Sequence, residues 1–334
     1  MTRRREIPRA CGAAPFEKGG AHSQLCTDRH QVLRRCSEQP SPFYRARIAS
    51  GVAPLAPTTR AELLADQLAH LPHGTRRPAD AAPPVRAGIT GTGSELLVLT
   101  FTAADLRRER AAGTALLRSL GITPGMRVAN ALPGALATPG SLIVGDVIEE
   151  LGALDVPLGS PDSEAAATQV WSLLDRVQPQ VLIVDPTSGE RLLRSAPPTE
   201  RPWLSGVIWL HQAANPPSFP STGQGGGRGH RHWLAIPEAT SFAAGSCEAG
   251  SLHIERSTIA EVITASGDIA AEGNGTLLLT PLELDTPLLR YDSGVAVRLR
   301  SDGCRCGSAG AVIEIACGVI TRETSWTSSR RPKS

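Results

Sequence analysis

Lysine is almost absent from this chain. Only Lys18 and Lys333 of its 34 basic side chains are lysine, and the other 32 are arginine. A lysine Schiff base and a phosphate-gripping P-loop lysine are therefore excluded, because both need a lysine inside the fold. Aromatic residues make up 4% of the chain, too few for a platform that stacks single-stranded nucleic acid. Charge of one sign is also lacking. The basic residues face 32 acids and the formal net charge is +2, so nothing points to a nucleic-acid partner. No run approaches the roughly 18 apolar residues of a membrane span. Behind the arginines at 3–5, Glu6, Arg9, Glu17 and Lys18 interrupt any signal-peptide core. The chain is read as cytoplasmic, with no membrane partner. Seven cysteines in 334 residues do not make a disulfide framework, and in that compartment they stay reduced.

At 41% hydrophobic, the chain has enough apolar surface for a core. Residues 1–28 carry no sustained period and read as irregular. A short helix is expected at 29–36, ended by Pro40, Ser41 and Pro42 ahead of the anchors Phe43 and Tyr44. Thr58 or Thr59 caps a helix reaching Leu71, with Leu63, Leu64, Leu68 and Leu71 at helical spacing. Residues 72–84 hold five prolines and glycines and read as a loop. Strands are expected at 85–89 and 96–101, then a helix from Thr102, with Asp105 closing a near capping box, to Leu120 before Gly121.

From 127 to 210 strands (127–132, 154–157, 181–185, 206–210) alternate with helices (141–151, 163–177, 189–195). That alternation predicts an α/β fold with a mostly parallel sheet and helices packed on it. The Pro- and Gly-rich stretch 215–232, including Arg228, His230, Arg231 and His232, reads as a loop. After Ser251 the period falls to two, with strands at 252–255, 261–264, 276–280, 287–291, 295–299 and 311–315, a small β-rich subdomain. The expected organisation is thus 1–28 irregular, 29–245 a large α/β domain, 246–318 the β-rich subdomain, and 319–334 a frayed tail.

Three groups of residues carry chemistry. The loop from Thr90 and Gly91 through Thr92 to Glu95, between two strands, offers hydroxyls and backbone amides that suit a phosphate; a plain hairpin turn uses the same residues. Arg290 and Tyr291 end a strand before a turn containing Gly294, placed either to face a nucleotide or as an ordinary edge. Cys247, His253, Cys304 and Cys306 make a C-x5-H pair and a C-x-C pair, the donor number tetrahedral zinc requires; free cysteines and a surface histidine are the other reading.

Together these pieces resemble the phenylacetate–coenzyme A ligase family of AMP-forming, adenylate-forming enzymes. Pro42-Phe43-Tyr44-Arg45 resembles the family's entry segment. Residues 89–96 align with its Ser/Thr/Gly phosphate loop, Thr102 with Asp105-Leu106 with its TxxDL, and Glu238 with the acidic end of its YGxTE. Leu252-His253-Ile254 resembles its LHI strand, 287–294 its PxxRYxTGD, and Cys304-Arg305-Cys306-Gly307 its CxCG. The resemblance implies an adenylate-forming large domain and a two-step reaction. A small carboxylic acid attacks the α-phosphate of ATP to give an acyl-adenylate, and coenzyme A then displaces AMP. It further implies that Thr90, Gly91 and Thr92 cradle phosphate and Glu238 holds Mg²⁺. Arg290, Tyr291 and Gly294 would line the nucleotide site, and the four Cys/His residues would hold a structural Zn²⁺.

The departures are specific. Gly93, Ser94 and Glu95 replace the loop's usual Thr, Gly and basic residue, and a carboxylate beside a triphosphate is repulsive. Val295 stands where the family has the aspartate that grips the ribose, a loss worth roughly 1.5–3 kcal/mol. The mobile C-terminal domain that often supplies a lysine is not recognisable after Gly318, so the chain is read as truncated. Two functions follow as expectations: a ligase-like acyl or aryl activator, or a non-catalytic homologue that binds a ligand or a partner. Self-association is left open.

Overall fold

The computed structural model describes residues 41–53, 55–134, 138–196, 201–212, 229–282 and 284–315. The expected irregular N-terminus, the helix at 29–36, most of the glycine-rich tract and the tail from 319 lie outside these residues. The first described helix, α1 (Pro42–Ala49), starts where a stop is expected. Pro42 sits at its first turn, where no amide donor is needed and the fixed φ is already helical. It buries Phe43 and Tyr44. Helix α2 (Arg60–Ala69) is capped by Thr59, whose side chain accepts from the Glu62 amide while Glu62 reaches back to Thr59.

Strands β1 (Arg86–Thr90) and β2 (Leu97–Phe101) form an antiparallel hairpin on their own. Helix α3 (Ala103–Ser119) follows behind the Thr102–Asp105 capping box read from the sequence. The alternating stretch gives β3 (Arg127–Ala131), α4 (Ser141–Glu150), β4 (Leu154–Pro157), α5 (Glu164–Val177), β5 (Val181–Val184), α6 (Pro186–Arg194) and β6 (Gly206–Gln212). Then come β7 (His230–Ile236), β8 (Thr240–Ser246), β9 (Leu252–Ile254), β10 (Thr258–Ile263), β11 (Ile269–Ala270), β12 (Gly273–Pro281), β13 (Tyr291–Arg300) and β14 (Val312–Ile315).

Twelve of these strands make one sheet, in the order β11-β10-β12-β13-β14-β9-β8-β7-β6-β5-β3-β4. Pairings from β4 through β3, β5 and β6 to β7 are parallel, and those from β7 onward are antiparallel. The sheet runs without interruption past residue 245, which lies inside β8.

The parallel half is packed on both faces, which is why β5 is apolar throughout. Val181 and Ile183 join the core under α3 and α4, while Leu182 and Val184 join Trp171, Leu174 and Leu192 of α5 and α6. Gly113 lets α3 approach closely, since a β-carbon there would lie 2.7 Å from the Phe242 ring of β8. A third cluster, including Leu234, Leu277, Leu279, Leu289 and Val297, fills the space beside the antiparallel half.

Three sequence expectations change. His230, Arg231 and His232, read as loop, are the start of β7. Strand β8 has no period-two pattern because all seven of its residues are buried, so alternation could not reveal it. The two short strands expected at 287–291 and 295–299 become one, β13. It begins only at Tyr291, because Arg290 has φ +44° and breaks the extended path.

Candidate functional site

The loop joining β1 to β2 contains a short 3-10 turn, Gly93–Glu95. Thr90 is buried and residues 91–95 are exposed. Within the loop the Glu95 amide donates to the Thr92 carbonyl at 3.0 Å and the Leu96 amide to the Gly93 carbonyl at 3.3 Å. Among the described residues, the amides of Gly91, Thr92, Gly93 and Ser94 have no acceptor. They are four consecutive donors in an exposed loop whose Gly91 and Gly93 have positive φ, and such a run of amides suits an anion. Glu95 is exposed, and its carbonyl accepts an arginine N–H.

That arginine is Arg60, which the sequence reading did not single out. Its Nη2 donates to the Thr90 carbonyl at 3.0 Å and the Glu95 carbonyl at 2.6 Å. Its Nη1 donates to Oε1 of Glu238. Gly91 has to be glycine here, because a β-carbon would overlap both the Arg60 guanidinium and the Glu95 carbonyl. One local signal existed. Arg60 is the first residue of α2, and a cation is disfavoured at the positive end of a helix, so it needs a reason to be there.

Glu238 lies in the turn between β7 and β8, and its carboxylate is 5% exposed. Tyr291, at the head of β13, interacts electrostatically with both Glu238 and Arg60, and burial together with the Glu238 charge pushes its phenol pKa up. The chain around Thr58 brings these pieces together. The Thr58 amide donates to the Arg290 carbonyl at 3.0 Å, and the Asp292 amide to the Thr58 carbonyl at 2.9 Å. This bridge sets the start of α2 against the start of β13, more than two hundred residues away.

Tyr44 braces the same strand end from below. Its hydroxyl accepts the Leu289 amide at 2.8 Å and lies 3.3 Å from the Thr58 hydroxyl. Arg76 completes the setting. Its backbone is fixed by Thr75, which donates through its amide and its hydroxyl to Asp66, both at 2.6 Å. Its Nη1 is closed off from solvent and has no hydrogen-bond partner among the described residues. Burial draws the Arg76 pKa down, while Tyr44, Asp105, Tyr291 and Glu238 act electrostatically to raise it.

The other sequence candidates divide. Thr90, Gly91, Thr92, Glu238 and Tyr291 gather around Arg60. Arg290 turns away and is committed to Glu261, with Nε to Oε2 at 2.8 Å and Nη2 to Oε1 at 3.0 Å; its Nη1 donates to the Leu55 carbonyl at 2.9 Å. Gly294, at φ +69°, sits exposed on β13. Val295 beside it is 4% exposed and packs in the core.

Cys247, His253, Cys304 and Cys306 converge at a separate place, with one ligand atom from each lying within 4.8 Å of every other. Cys247 follows β8, His253 is in β9, and the two remaining cysteines lie between β13 and β14. The sheet order places β14 beside β9 and β9 beside β8 in the interior of the sheet, so three sequence-distant segments meet at the ends of neighbouring strands. The Cys247 and Cys304 sulfurs are 3.6 Å apart, and the Cys306 sulfur is 3.3 Å from His253 Nε2. A tetrahedron with Zn–S bonds of about 2.3 Å has edges just under 4 Å, so the spacing and the donor set both fit zinc. Thiolate-stabilising hydrogen bonds from the Cys306 backbone and the Ser251 and His253 side chains bring Cys304 down to about 6.

No family model matches the sequence, and no curated protein matches it. Solved structures do match. One is an open conformation of 2-hydroxyisobutyryl-CoA ligase in complex with 2-HIB-AMP and CoA, at a TM-score of 0.72 and 19% identity, covering 88% of this chain and 73% of that one. The post-adenylation state of the same ligase with R3-HIB-AMP gives a TM-score of 0.74 at 19% identity, covering 87% of this chain and 66% of that one. The inhibitor-bound N-terminal domain of FACL13 from Mycobacterium tuberculosis gives 0.52 at 14% identity, over 75% and 65% of the two chains. At these identities the likeness is one of fold: this chain shares the α/β architecture of these solved structures.

Proposed function

We propose that this chain binds a nucleotide at the 90–95 loop and activates a small carboxylic acid as its acyl-adenylate. The observation that carries this reading is the row of four acceptorless amides at 91–94, set beside Arg60, Glu238 and Tyr291. The fold adds support, since similar ligases have been solved with acyl-AMP adducts. In the proposed step a carboxylate oxygen bonds to the α-phosphorus, the bond to pyrophosphate breaks, and pyrophosphate leaves with the electron pair. Charge accumulates on the phosphate oxygens, where loop amides and the Thr92 hydroxyl donate and the Arg60 guanidinium balances charge. Coenzyme A is the proposed acceptor, its sulfur displacing AMP from the acyl carbon. Phenylacetate and related aryl acids are the first substrates to try.

The four Cys/His donors would hold a structural zinc that ties β8, β9 and the segment between β13 and β14 together. Mg²⁺ at Glu238 does not fit as readily, because Arg60 already occupies Oε1. No step is routed through that ion.

A second reading, a ligand binder without catalysis, is favoured by Val295 and Arg290. The position expected to grip the ribose is an apolar side chain in the core, and the expected nucleotide-lining arginine is spent on Glu261. ATP–pyrophosphate exchange against a panel of aryl and alkyl acids separates the two. Exchange with any acid supports activation. Nucleotide binding by calorimetry without exchange supports the binder, and the absence of both sinks the enzyme reading.

A further inference from the structure

We infer that the 90–95 site neutralises a phosphate oxyanion with arginine in place of a divalent metal ion: Arg60 supplies the positive charge, and a phosphate-bearing ligand binds without Mg²⁺. This rests on the nucleotide reading above and specifies how its charge is met.

The argument begins with Glu238. A carboxylate that is to hold Mg²⁺ must offer an oxygen to an ion that demands near-ideal octahedral geometry and keeps much of its water. Glu238 is 5% exposed on its side chain, carries the Arg60 Nη1 on Oε1, and interacts electrostatically with Tyr291. There is little room for a hydrated ion, and a dication there would stand against a guanidinium in direct contact with the same carboxylate.

The local charge count points the same way. Arg60 and Arg76 both act on this corner, against Glu238 and, from α3, Asp105. Asp105 is already engaged. Its Oδ2 accepts the Thr102 amide at 2.9 Å and its Oδ1 the Asp285 amide at 3.0 Å, at the positive end of α3. Among the described residues, Arg76 keeps a buried N–H with no partner. Such a donor costs free energy until something accepts from it.

Arg60 is placed for the task. It lies directly beneath the loop, bonded to the carbonyls at both of its ends. The loop's unpaired amides and the guanidinium bonded to its carbonyls therefore make one positively polarised group. A guanidinium stays charged at any working pH and needs no metal. It restores the cation lost where Glu95 replaces the usual basic residue, in a chain with no lysine between residues 18 and 333.

The test titrates the full chain with ATP, and separately with inorganic pyrophosphate, in magnesium-free buffer and with excess Mg²⁺. The expected result is affinity that agrees within about threefold between the buffers. R60Q should weaken binding about tenfold or more in both, the loss of a charge-assisted contact, and R60K should recover most of it. Affinity that is at least about tenfold tighter with Mg²⁺ overturns the inference and leaves the nucleotide reading standing. So does binding that R60Q leaves unmoved while circular dichroism shows it folded. Should R60Q fail to fold, the two-buffer comparison on the unmodified chain still decides. Binding of neither ligand in either buffer sinks the nucleotide reading itself. Pyrophosphate binding alone separates phosphate recognition from contacts to the rest of the nucleotide.

Discussion

Glu109, buried in α3, accepts the hydroxyl of Thr240 at 2.8 Å through Oε1 and the amide of Ser241 at 2.8 Å through Oε2. These two partners immediately follow the turn that carries Glu238. Arg108 holds Glu109 from the other side at 2.9 Å and ties the same helix to the Leu282 carbonyl at 2.7 Å. The position of Glu238 is thus inherited from a buried ion pair on a different element.

E109A should therefore be among the most costly single changes in the chain. It leaves Arg108 without its closest counter-charge and two donors of the turn without acceptors, at a cost of about 3–5 kcal/mol. Urea unfolding measures it. A loss below about 1 kcal/mol would mean that the network contributes little.

The zinc proposal predicts about one equivalent of the metal in chain purified without chelator. Stripping the metal should lower the unfolding midpoint, and C304S should reduce bound metal and midpoint together. Less than about half an equivalent, or a midpoint indifferent to stripping, would count against a structural zinc.

Asp155 of β4 gives a pH signature. Burial, with the nearby Glu149 charge adding to it, raises its carboxyl to about 6. The folded chain then holds the proton more tightly than the unfolded chain, whose aspartate titrates near about 4. Stability from this group is full below pH about 4 and is lost as pH rises through about 6. D155N should stabilise the chain at pH 8, by about 1 kcal/mol after allowance for the half-exposed position. The gain should vanish below pH about 4. Unfolding curves of both proteins at the two pH values test the sign.

Val295 separates the sequence expectation from the structure. By resemblance alone, V295D should strengthen ATP binding. The structure puts Val295 in the core at 4% exposure, so the same change buries an unpaired carboxylate. The expected result is a loss of about 3 kcal/mol or more of stability. A soluble variant with an unchanged urea midpoint and tighter ATP binding would restore the family-based expectation.

Local rules read well wherever one residue's neighbours decide its state. The capping boxes at Thr59 and Thr102, the alternation from 127 to 210 and the glycine-rich turns all depend on short-range geometry, and all appear close to their expected places. Strand β8 was hidden because burial on both faces removes the alternation that marks a strand. The Arg290 ion pair was not legible because its partner, Glu261, is 29 residues away, and no spacing rule links them.

The amino-acid sequence by itself determined the α/β order, the small-residue loop at 90–95 and the Cys/His set proposed to hold zinc, since these follow from periodicity, turn chemistry and ligand type. The scarcity of lysine was also legible, but not its consequence. Only the tertiary structure placed Arg60 beneath that loop and against Glu238, because the Thr58 bridge to β13 and the β7–β8 turn must both form before one guanidinium can reach all three acceptors. The sequence supplies the charges. Long-range pairing decides which charges meet, and therefore which remain for a ligand.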